Sequence, residues 1–501
     1  MTTSPYQNKE LVETRRPGRR GLPPGLAVAI ELGRALCGIA IAPLRTAIYL
    51  AVRKQKEEAI RGDLATAAPV LPAPEDLRPL DAEALGGRPL RIFIAAAEHS
   101  GEIHAANLID ALRKTAMDAG LKEPEFVGLG GAALEERGMR SIGNPGERAA
   151  MGFDGVLSAL PYYLAMLRDA AQNFRDERPD LMIPVDSPAL HVPLAHLAQK
   201  YDVPVAHFVT PQYWGWAPWR VKGYRKAVNL GLSILPFEPS WYGRHGVNSK
   251  HVGHPLLDEL QEIGAPLSGV AARTEELQDP APCGPLILLP GSREGVVRRN
   301  LPWMLDRIAE LQSTPEFKDL EVVLPHSRRD LDEVIEQEFA RSVARVRLAK
   351  SGLHKELARG ACAFAVSGTV VLDILPHRLP TVVLYRLKNN RGIWLRDHLF
   401  SVPWFTSVNL LANREVHPEF AFTDHGDKDK GEGEAMRVKV RSALERALGD
   451  GDWRRENLAG QNHAESRLGP PGAVTRGAHA ALEMLAQTRK TAVLGSKGSN
   501  S

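Results

Sequence analysis

The pattern of apolar and polar positions changes character along the 501 residues of the chain. From Arg91 onward, short β-rich apolar runs alternate with longer stretches of helical periodicity. Such alternation is typical of an α/β protein whose parallel sheet is covered by helices on both faces. The predicted strands are 91–97, 125–129, 181–185, 204–209 and 230–235, then 286–290, 320–325, 361–366 and 380–385. The predicted helices of the first half are 101–116, 155–176 and 188–200.

A stretch rich in Pro, Gly and Ala at 264–285 interrupts the alternation, which then restarts. The chain is therefore expected to form two doubly wound, Rossmann-like domains facing a cleft, at 89–265 and 266–433. Ligand sites are expected in that cleft, where the carboxyl ends of the strands meet. Further helices are predicted over 434–490, at 434–448, 453–465 and 472–488, followed by a disordered tail at 491–501.

The N-terminal extension, residues 1–88, has a different texture. An apolar stretch from Leu26 to Val52 is interrupted by Glu31, Arg34 and Arg45, which fall within about 80° of each other on a helical projection. A narrow polar stripe on an apolar helix favours a helix lying in a bilayer surface. The alternatives are a helix docked on the protein itself and a membrane-spanning helix. The proline-rich residues 63–88 are predicted to be a linker.

Composition limits the choice of function. With 44% hydrophobic and 25% charged residues, the chain is neither wholly disordered nor a multi-span membrane protein. A net charge of +3 gives no reason to expect a nucleic-acid partner. The three cysteines are far apart and the histidines are scattered, so we expect no disulfide framework, no metal site and no cofactor. Residues 1–62 carry a net charge of +6, which suits an anionic membrane surface.

Two predicted strands of the first domain end in acidic residues. The first strand leads into Glu98, Ser100, Gly101 and Glu102, a polar turn where an α/β sheet binds ligands, although Ser100 could simply cap a helix. The third strand ends at Asp186, which could accept a proton from an attacking hydroxyl. The alternative for Asp186 is an N-cap, with Pro188 at the start of the helix.

A tryptophan-rich segment follows the next strand. Gln212, Trp214, Trp216 and Arg220 lie within nine residues of one another. At a strand end they favour a binding wall for a sugar or an acyl chain, while the alternative is that the tryptophans belong to the core.

Two turns of the second domain are suited to phosphate. Gly291, Ser292 and Arg293 join its first strand to a helix, where free N–H groups and a guanidinium could hold an anion. The turn Ser367-Gly368-Thr369, with Asp373 a few residues later, could bind a diphosphate and a ribose. The alternative for the second turn is a capped helix with an acid near its start.

Taken in order, these motifs resemble the lipid-A-disaccharide synthase family over about residues 91–490. The resemblance rests on the turn at 98–102, Asp186-Ser187-Pro188, Thr210 to Trp216 with Arg220, Leu235-Pro236-Phe237-Glu238, Val252-Gly253-His254-Pro255, Leu289 to Arg293, Ser367-Gly368-Thr369 and Asn409-Leu410-Leu411-Ala412. It implies the GT-B fold and an inverting, metal-independent glycosyltransferase. A related GT-B transferase with another acceptor and a non-catalytic binding protein remain as alternatives.

The resemblance also implies the substrates and the roles of residues. The donor would be UDP-2,3-diacylglucosamine, the acceptor 2,3-diacylglucosamine 1-phosphate (lipid X), and the products a β-1,6-linked disaccharide 1-phosphate and UDP. Asp186 would be the base, with Glu98 as the second candidate. Substrate binding is expected at Ser100, Gly101, Glu102, Gln212, Trp214, Trp216 and Arg220. UDP binding is expected at Gly291, Ser292, Arg293, Ser367, Gly368, Thr369, Asp373 and Asn409. The enzyme would act as a peripheral protein at the cytoplasmic face of the inner membrane. A homodimer is one state that it could adopt.

The chain departs from the family pattern at four positions. Glu102 stands where the family has Asp, and Asp373 stands where the family has Glu. After Asp186, Ala189 and His191 stand where the family has Asp and Asn. These departures bear on acceptor and acyl-chain specificity, and the base and the phosphate turns are kept.

Overall fold

The computed structural model describes residues 22–146, 156–264, 284–326, 328–350, 352–387, 394, 397–423 and 430–497. Most of the interdomain connection at 264–285, the end of the C-terminal tail and the basic residues before Leu22 lie outside these residues.

The extension forms two helices, α1 (Pro24–Ala40) and α2 (Ala42–Leu64), followed by the short α3 (Ala82–Leu85). A bend of 50° separates α1 from α2, and Pro43 stands in the first turn of α2, where a missing N–H costs no helical hydrogen bond. Among the described helices, none is by itself long and apolar enough to cross a membrane, although α1 and α2 together meet that test by length and composition.

Both helices are docked on the body of the protein. Glu31 is buried and forms ion pairs with Arg34 and with Lys200 of the first domain. Asp63, at the end of α2, is buried in an ion pair with Arg244. The part of the predicted polar stripe that contains Glu31 therefore faces the protein, because a buried carboxylate needs these cationic partners.

Away from these buried ion pairs, α1, α2 and the residues that flank them leave large apolar side chains in solvent. Nine of them are exposed: Leu22, Leu26, Ile30, Leu36, Ile39, Ile41, Leu44, Ile48 and Leu50. We call this set the apolar face. Docking on the protein itself, one of the alternatives considered from sequence, is therefore observed, and the docked helices carry an exposed apolar surface.

The first domain is built on seven parallel strands. They are β1 (Arg91–Ala95), β2 (Glu125–Leu129), β3 (Arg140–Ser141), β4 (Leu181–Pro184), β5 (Ala206–Phe208), β6 (Leu230–Ser233) and β7 (Ser249–His251). Their order is β3-β2-β1-β4, continued by β5-β6-β7 through parallel bridges at Met182–Val205 and Val185–Phe208. The helices are α4 (His99–Asp118), α5 (Ala132–Glu135), α6 (Val156–Asp176), α7 (Pro188–Lys200), α8 (Val221–Ala227), α9 (Glu238–Arg244) and α10 (Leu256–Glu262), with a 3-10 turn at Pro218–Arg220.

The second domain has six parallel strands in the order β10-β9-β8-β11-β12-β13. They are β8 (Leu286–Leu289), β9 (Val322–Pro325), β10 (Arg347–Ala349), β11 (Cys362–Val366), β12 (Thr381–Leu387) and β13 (Glu419–Thr423). The helices are α11 (Glu294–Gln312), α12 (Asp332–Arg341), α13 (Leu353–Arg359), α14 (Val370–Ile374) and α15 (Ser407–Ala412). The predicted architecture of two Rossmann-like sheets with an N-terminal helical part is confirmed.

The last three helices connect the two domains. They are α16 (Lys430–Gly449), α17 (Gly451–Ser466) and α18 (Ala473–Lys497). Helix α18 returns to the first domain, where Leu482 and Leu485 join the core around β1 and β4. The segment predicted as a linker runs beside it, because Arg476 donates to the carbonyl of Pro72 over 3.3 Å and His479 lies 2.6 Å from the carbonyl of Arg78.

Candidate functional site

Asp186 lies immediately beyond β4 in an unusual backbone conformation. Asp186 and Ser187 have φ of +55° and +44°, a region that residues other than Gly rarely occupy. Ser187 holds the cap position of α7, yet within the described residues its side chain makes no capping hydrogen bond. The N-cap alternative therefore does not account for this Asp-Ser pair.

Two buried histidines hold the main chain of Asp186 in place. Its carbonyl accepts from Nδ1 of His191 over 2.7 Å and from Nε2 of His207 over 3.0 Å. Burial lowers the pKa of His191 to about 4 and that of His207 to about 3. Both rings are therefore neutral near pH 7, with their N–H groups directed at this carbonyl.

The environment of the Asp186 carboxyl suits a base. Burial is the main cause that raises the pKa of Asp186, and the charge of Glu98 raises it further. The amide of Ser187 and the charge of His104 act in the opposite direction. A carboxylate whose pKa is raised towards neutrality is a stronger base near pH 7.

Glu98 connects the acidic edge of the first domain to the second domain. It precedes α4, and one of its carboxylate oxygens lies 3.2 Å from Nη2 of Arg293. Both side chains are largely exposed, so a ligand entering the cleft can reach either one. This ion pair brings together the second candidate base and the residue predicted to hold a diphosphate.

The remaining residues of the first turn lie at the start of α4. Helix α4 begins at His99, so Ser100 does not hold the cap position, and its side chain lies outside the described set. A Cβ at Gly101 would lie 3.7 Å from the carbonyl of Val185, so this turn is close to the end of β4. Glu102 accepts a hydrogen bond of 2.8 Å from the amide of Gly131, which anchors the loop after β2.

The tryptophan-rich segment divides into a buried part and an exposed part. Trp214 is buried, donates from Nε1 to Glu238 over 2.9 Å and meets Phe237 edge to face. Trp214 is therefore packed against the core, and its indole N–H is already bonded to Glu238. Trp216 is exposed, as is Gln212, and the Arg220 guanidinium lies 5.4 Å from the centre of the Trp216 ring.

Glu238 is the buried centre of this region, a role that its sequence motif alone did not reveal. It accepts hydrogen bonds from Thr210, Trp214 and the amides of Ile234 and Leu235. Burial raises the pKa of Glu238 to about 7. The carboxyl thus fixes the loop that carries Trp216, and no sequence period signals such a contact.

The first phosphate-type turn lies between β8 and α11. Gly291 has a φ of +112°, and a Cβ there would lie 2.5 Å from Cγ1 of Val296, so only Gly fits. Ser292 and Arg293 are exposed at the start of the nineteen-residue α11, and the carbonyl of Ser292 accepts from Arg328 over 2.8 Å. Free amides at a helix start beside a guanidinium suit a phosphate.

The second turn lies on the neighbouring strand. Strands β8 and β11 are paired, with Leu289 opposite Ala365, so the turn of Ser367, Gly368 and Thr369 leaves the sheet beside the first one. Gly368 and Thr369 are exposed. The two turns therefore lie on neighbouring strands at the carboxyl edge of the sheet.

Asp373 lies close to an acid of the first domain. Burial and then the charge of Glu259, on α10, raise the pKa of Asp373 to about 7. Glu259 itself lies 2.9 Å from Nδ1 of His104, the histidine whose charge acts on Asp186. Acidic groups of the two domains, Asp373 and Glu259, therefore lie close enough for the charge of one to act on the other.

Asn409, predicted to contact UDP, lies in a network of internal hydrogen bonds. It is fully buried, its Nδ2 donates to the carbonyl of His417 and to Glu419, and its Oδ1 accepts from the amides of Val416 and His417. All the hydrogen-bonding capacity of the amide is thus used within the protein. Asn409 therefore stabilises the loop after α15.

No group of three or more His, Cys, Asp or Glu able to hold a metal ion occurs in the described part of the chain.

Comparison with known proteins gives one family. The model of the family described as lipid-A-disaccharide synthetase matches residues 92–448. The lipid-A-disaccharide synthase of Myxococcus xanthus is 33% identical over 398 residues, covering 79% of this chain and 98% of the relative. That of Idiomarina loihiensis is 32% identical over 346 residues, covering 68% and 87%.

Solved structures resemble the chain more distantly. A UDP co-structure of MnaA from S. aureus has a TM-score of 0.47 at 14% identity, covering 77% of this chain and 94% of that one. A putative UDP-N-acetylglucosamine 2-epimerase from Listeria monocytogenes has a TM-score of 0.48 at 12% identity, covering 78% and 94%. The extent of the family match, together with the identity to full-length relatives, shows that this chain belongs to the lipid-A-disaccharide synthase family of glycosyltransferases.

Proposed function

We propose that the protein transfers 2,3-diacylglucosamine from UDP-2,3-diacylglucosamine to 2,3-diacylglucosamine 1-phosphate and releases UDP. The observation that carries this proposal is the pairing of Glu98 with Arg293. It joins the acidic edge that contains Asp186 to the phosphate-type turn of the second domain.

The donor would be held by the second domain. Arg293 and the free amides at the start of α11 would neutralise the diphosphate, which carries the negative charge that develops as UDP departs. The turn of Ser367, Gly368 and Thr369 would supply further donors on the adjacent strand. Asp373 would lie within reach of the ribose hydroxyls.

The acceptor would be bound by the first domain. Asp186 would take the proton from the 6-hydroxyl, whose oxygen then attacks the anomeric carbon on the face opposite UDP, which inverts the configuration and gives a β-linkage. Glu98 would orient the acceptor, together with the turn at Ser100, Gly101 and Glu102. The exposed side chains of Gln212 and Trp216, with the half-buried Arg220 beside them, would form the wall for the sugar.

The departures from the family pattern after Asp186 are compatible with this chemistry. His191 is buried and donates to the carbonyl of Asp186, so it supports the base and has no need to touch the acceptor. Ala189 is exposed on the first turn of α7. Of the two changed positions, Ala189 is therefore the one expected to affect the choice of acceptor.

The extension would place the enzyme on a membrane. The apolar face of α1 and α2 and the net charge of +6 in residues 1–62 suit insertion at the surface of an anionic bilayer. We propose peripheral binding at the cytoplasmic face of the inner membrane, where the acylated substrates would be reached without leaving the lipid.

The proposed reaction is tested by incubating the full chain with the two diacylglucosamine substrates and analysing the products by mass spectrometry. Equal amounts of UDP and disaccharide 1-phosphate are expected. Release of UDP without the disaccharide, or transfer only to another acceptor, would contradict the proposal.

A further inference from the structure

A cavity of about 240 Å³ lies where α2 meets the first domain, beside the loop of Ser401. Its lining includes three basic side chains and two indole rings, those of Lys56, Arg244, His245, Trp214 and Trp241. We call it the α2 cavity. Lys56 belongs to the extension, which the family match starting at residue 92 does not include.

The charges around the α2 cavity are predominantly positive. Arg244 forms an ion pair with the buried carboxylate of Asp63, so its charge is largely compensated. Lys56 adds a second cation from α2, and its charge acts on the imidazole of His245. Two cations and one carboxylate therefore face His245, which leaves an excess of positive charge for an incoming anion.

His245 is fixed in one orientation. Its Nδ1 lies 2.8 Å from the carbonyl of Trp241, and its ring lies 4.2 Å from the Trp241 ring. Since a carbonyl only accepts, Nδ1 carries a proton, and Nε2 is the nitrogen that can gain one. Burial, with Lys56 and Arg244, lowers the pKa of His245, while Asp63 raises it. A bound anion would raise the pKa and favour the doubly protonated ring.

The size of the cavity limits the ligand. It holds several times the roughly 30 Å³ that one water occupies, and it is smaller than the roughly 300–1,000 Å³ of sites for drug-sized molecules. A single polar head group fits, whereas a whole diacylated sugar does not.

We infer that the α2 cavity binds a phosphate group carried by a membrane lipid. The inference rests on the proposed membrane binding of α1 and α2. Lys56 follows the exposed Ile48 by eight residues on the same helix, which is about 12 Å along its axis. Eight residues also turn the helix by about 80°, so Lys56 is beside Ile48, not opposite to it, around the axis of α2. A lipid whose chains contact the apolar face at Ile48 would then present its phosphate to Lys56, His245 and Arg244.

The experiment compares two phosphate sources on the full chain. Calorimetric titrations use inorganic phosphate and vesicles of phosphatidylcholine with or without phosphatidic acid, for wild type, Lys56→Ala and Lys54→Ala. Lys54 is exposed on α2 two residues away, which places it on the other side of the helix. It is a matched control for loss of one positive charge.

Phosphatidic acid vesicles should bind wild type, and Lys56→Ala should weaken this binding about tenfold or more through loss of one charge-assisted contact. Lys54→Ala should change it much less. Titrations in two buffers of different ionisation enthalpy should reveal proton uptake near pH 6.5, and His245→Asn should abolish that uptake.

Equal effects of Lys56→Ala and Lys54→Ala would overturn the proposal, since they would indicate only general attraction to an anionic surface. Inorganic phosphate binding as strongly as the vesicles would overturn the assignment to a lipid. The proposed transfer reaction is tested separately, because its UDP contacts lie at Arg293, and failure of one test leaves the other intact. An Arg293→Ala variant should retain the dependence on Lys56.

Discussion

The guanidinium of Arg293 lies 3.2 Å from the carboxylate of Glu98, joining the two domains across the cleft. The exposed fractions of the two side chains are 76% and 55%, and ion pairs this exposed contribute only about 0–1 kcal/mol. A diphosphate that offers Arg293 a better partner can therefore displace Glu98 at small cost. In the proposed donor site, the pair would hold the Arg293 guanidinium in place before the nucleotide binds.

Replacing Arg293 with Ala should weaken UDP binding about tenfold or more, because a charge-assisted hydrogen bond to the diphosphate is lost. Arg298→Ala is the matched control: Arg298 lies on the next turn of α11 and is paired with Glu294, so its removal should leave UDP affinity nearly unchanged. Calorimetry with UDP measures both. An unchanged affinity for Arg293→Ala would remove this turn from the donor site.

Asp186→Asn should reduce kcat by about 100-fold or more, because the amide keeps the shape of the side chain but cannot accept the proton of the attacking hydroxyl. UDP affinity and the unfolding transition should remain those of wild type. The measurement is single-turnover transfer together with UDP calorimetry. Activity within a few-fold of wild type, combined with an inactive Glu98→Gln, would identify Glu98 as the base.

Glu98→Gln should shift the pH dependence of kcat/KM. The charge of Glu98 raises the pKa of Asp186, so its removal lowers that pKa and moves the acid limb of the profile to lower pH. UDP affinity should rise by no more than about fivefold, since the lost ion pair with Arg293 is an exposed one. If the acid limb does not move, the ionisation of Asp186 is not what produces that limb of the kcat/KM profile.

Buried neutral histidines should make the fold sensitive to mild acid. Burial lowers the pKa of His191 to about 4, and those of His207 and His417 to about 3, while an unfolded chain titrates near 6.5. The unfolded state then binds more protons, so stability is complete above about pH 6.5 and falls as the pH decreases towards the folded pKa values.

Each such histidine should lower the free energy of unfolding by about 2 kcal/mol when the pH falls from 7.5 to 5. Urea unfolding at the two pH values checks this, and His417→Gln should reduce the loss by about that amount. The exposed His463 provides the control, since His463→Gln should leave the loss unchanged. A loss that does not depend on His417 would contradict the assignment.

The pattern of apolar residues identified the central strands of both sheets and missed the edges. The four strands it did not predict are β3, β7, β10 and β13, which lie at the edges of the described sheets. Edge strands are covered less and tolerate charge, and Arg140, Lys250 and Arg347 lie in three of them. Their pairing depends on neighbours that are distant in sequence, so local periodicity does not reveal it.

The candidate site was predictable to the extent that strand ends determine it. Asp186 and Arg293 follow directly from strands β4 and β8. The supports of the site were not predictable, because His191 and His207 are 16 residues apart in sequence and meet at one carbonyl. Asn409 shows the reverse case, in which the side-chain amide of a motif residue bonds to the loop after α15 and to Glu419 at the start of β13.

The apolar face provides the last prediction. Ile39, Leu44 and Ile48 are 70%, 61% and 58% exposed, and burying such side chains in lipid contributes roughly 1 kcal/mol or more each. Replacing all three with Ser should therefore lower liposome co-sedimentation by at least about tenfold. The effect should be largest on anionic vesicles at low salt, where the surface charge is least screened.

A matched variant distinguishes lipid insertion from a general loss of apolar surface. Ile263 and Val438 are also exposed, at 61% and 60%, but they lie outside the extension, so replacing them with Ser should leave co-sedimentation unchanged. UDP affinity measured in detergent-free buffer should be that of wild type for both variants, because the donor turn is not altered. If the triple variant sediments as fully as wild type while the Ile263 and Val438 variant does not, the membrane contact belongs to another surface and the extension has a different role.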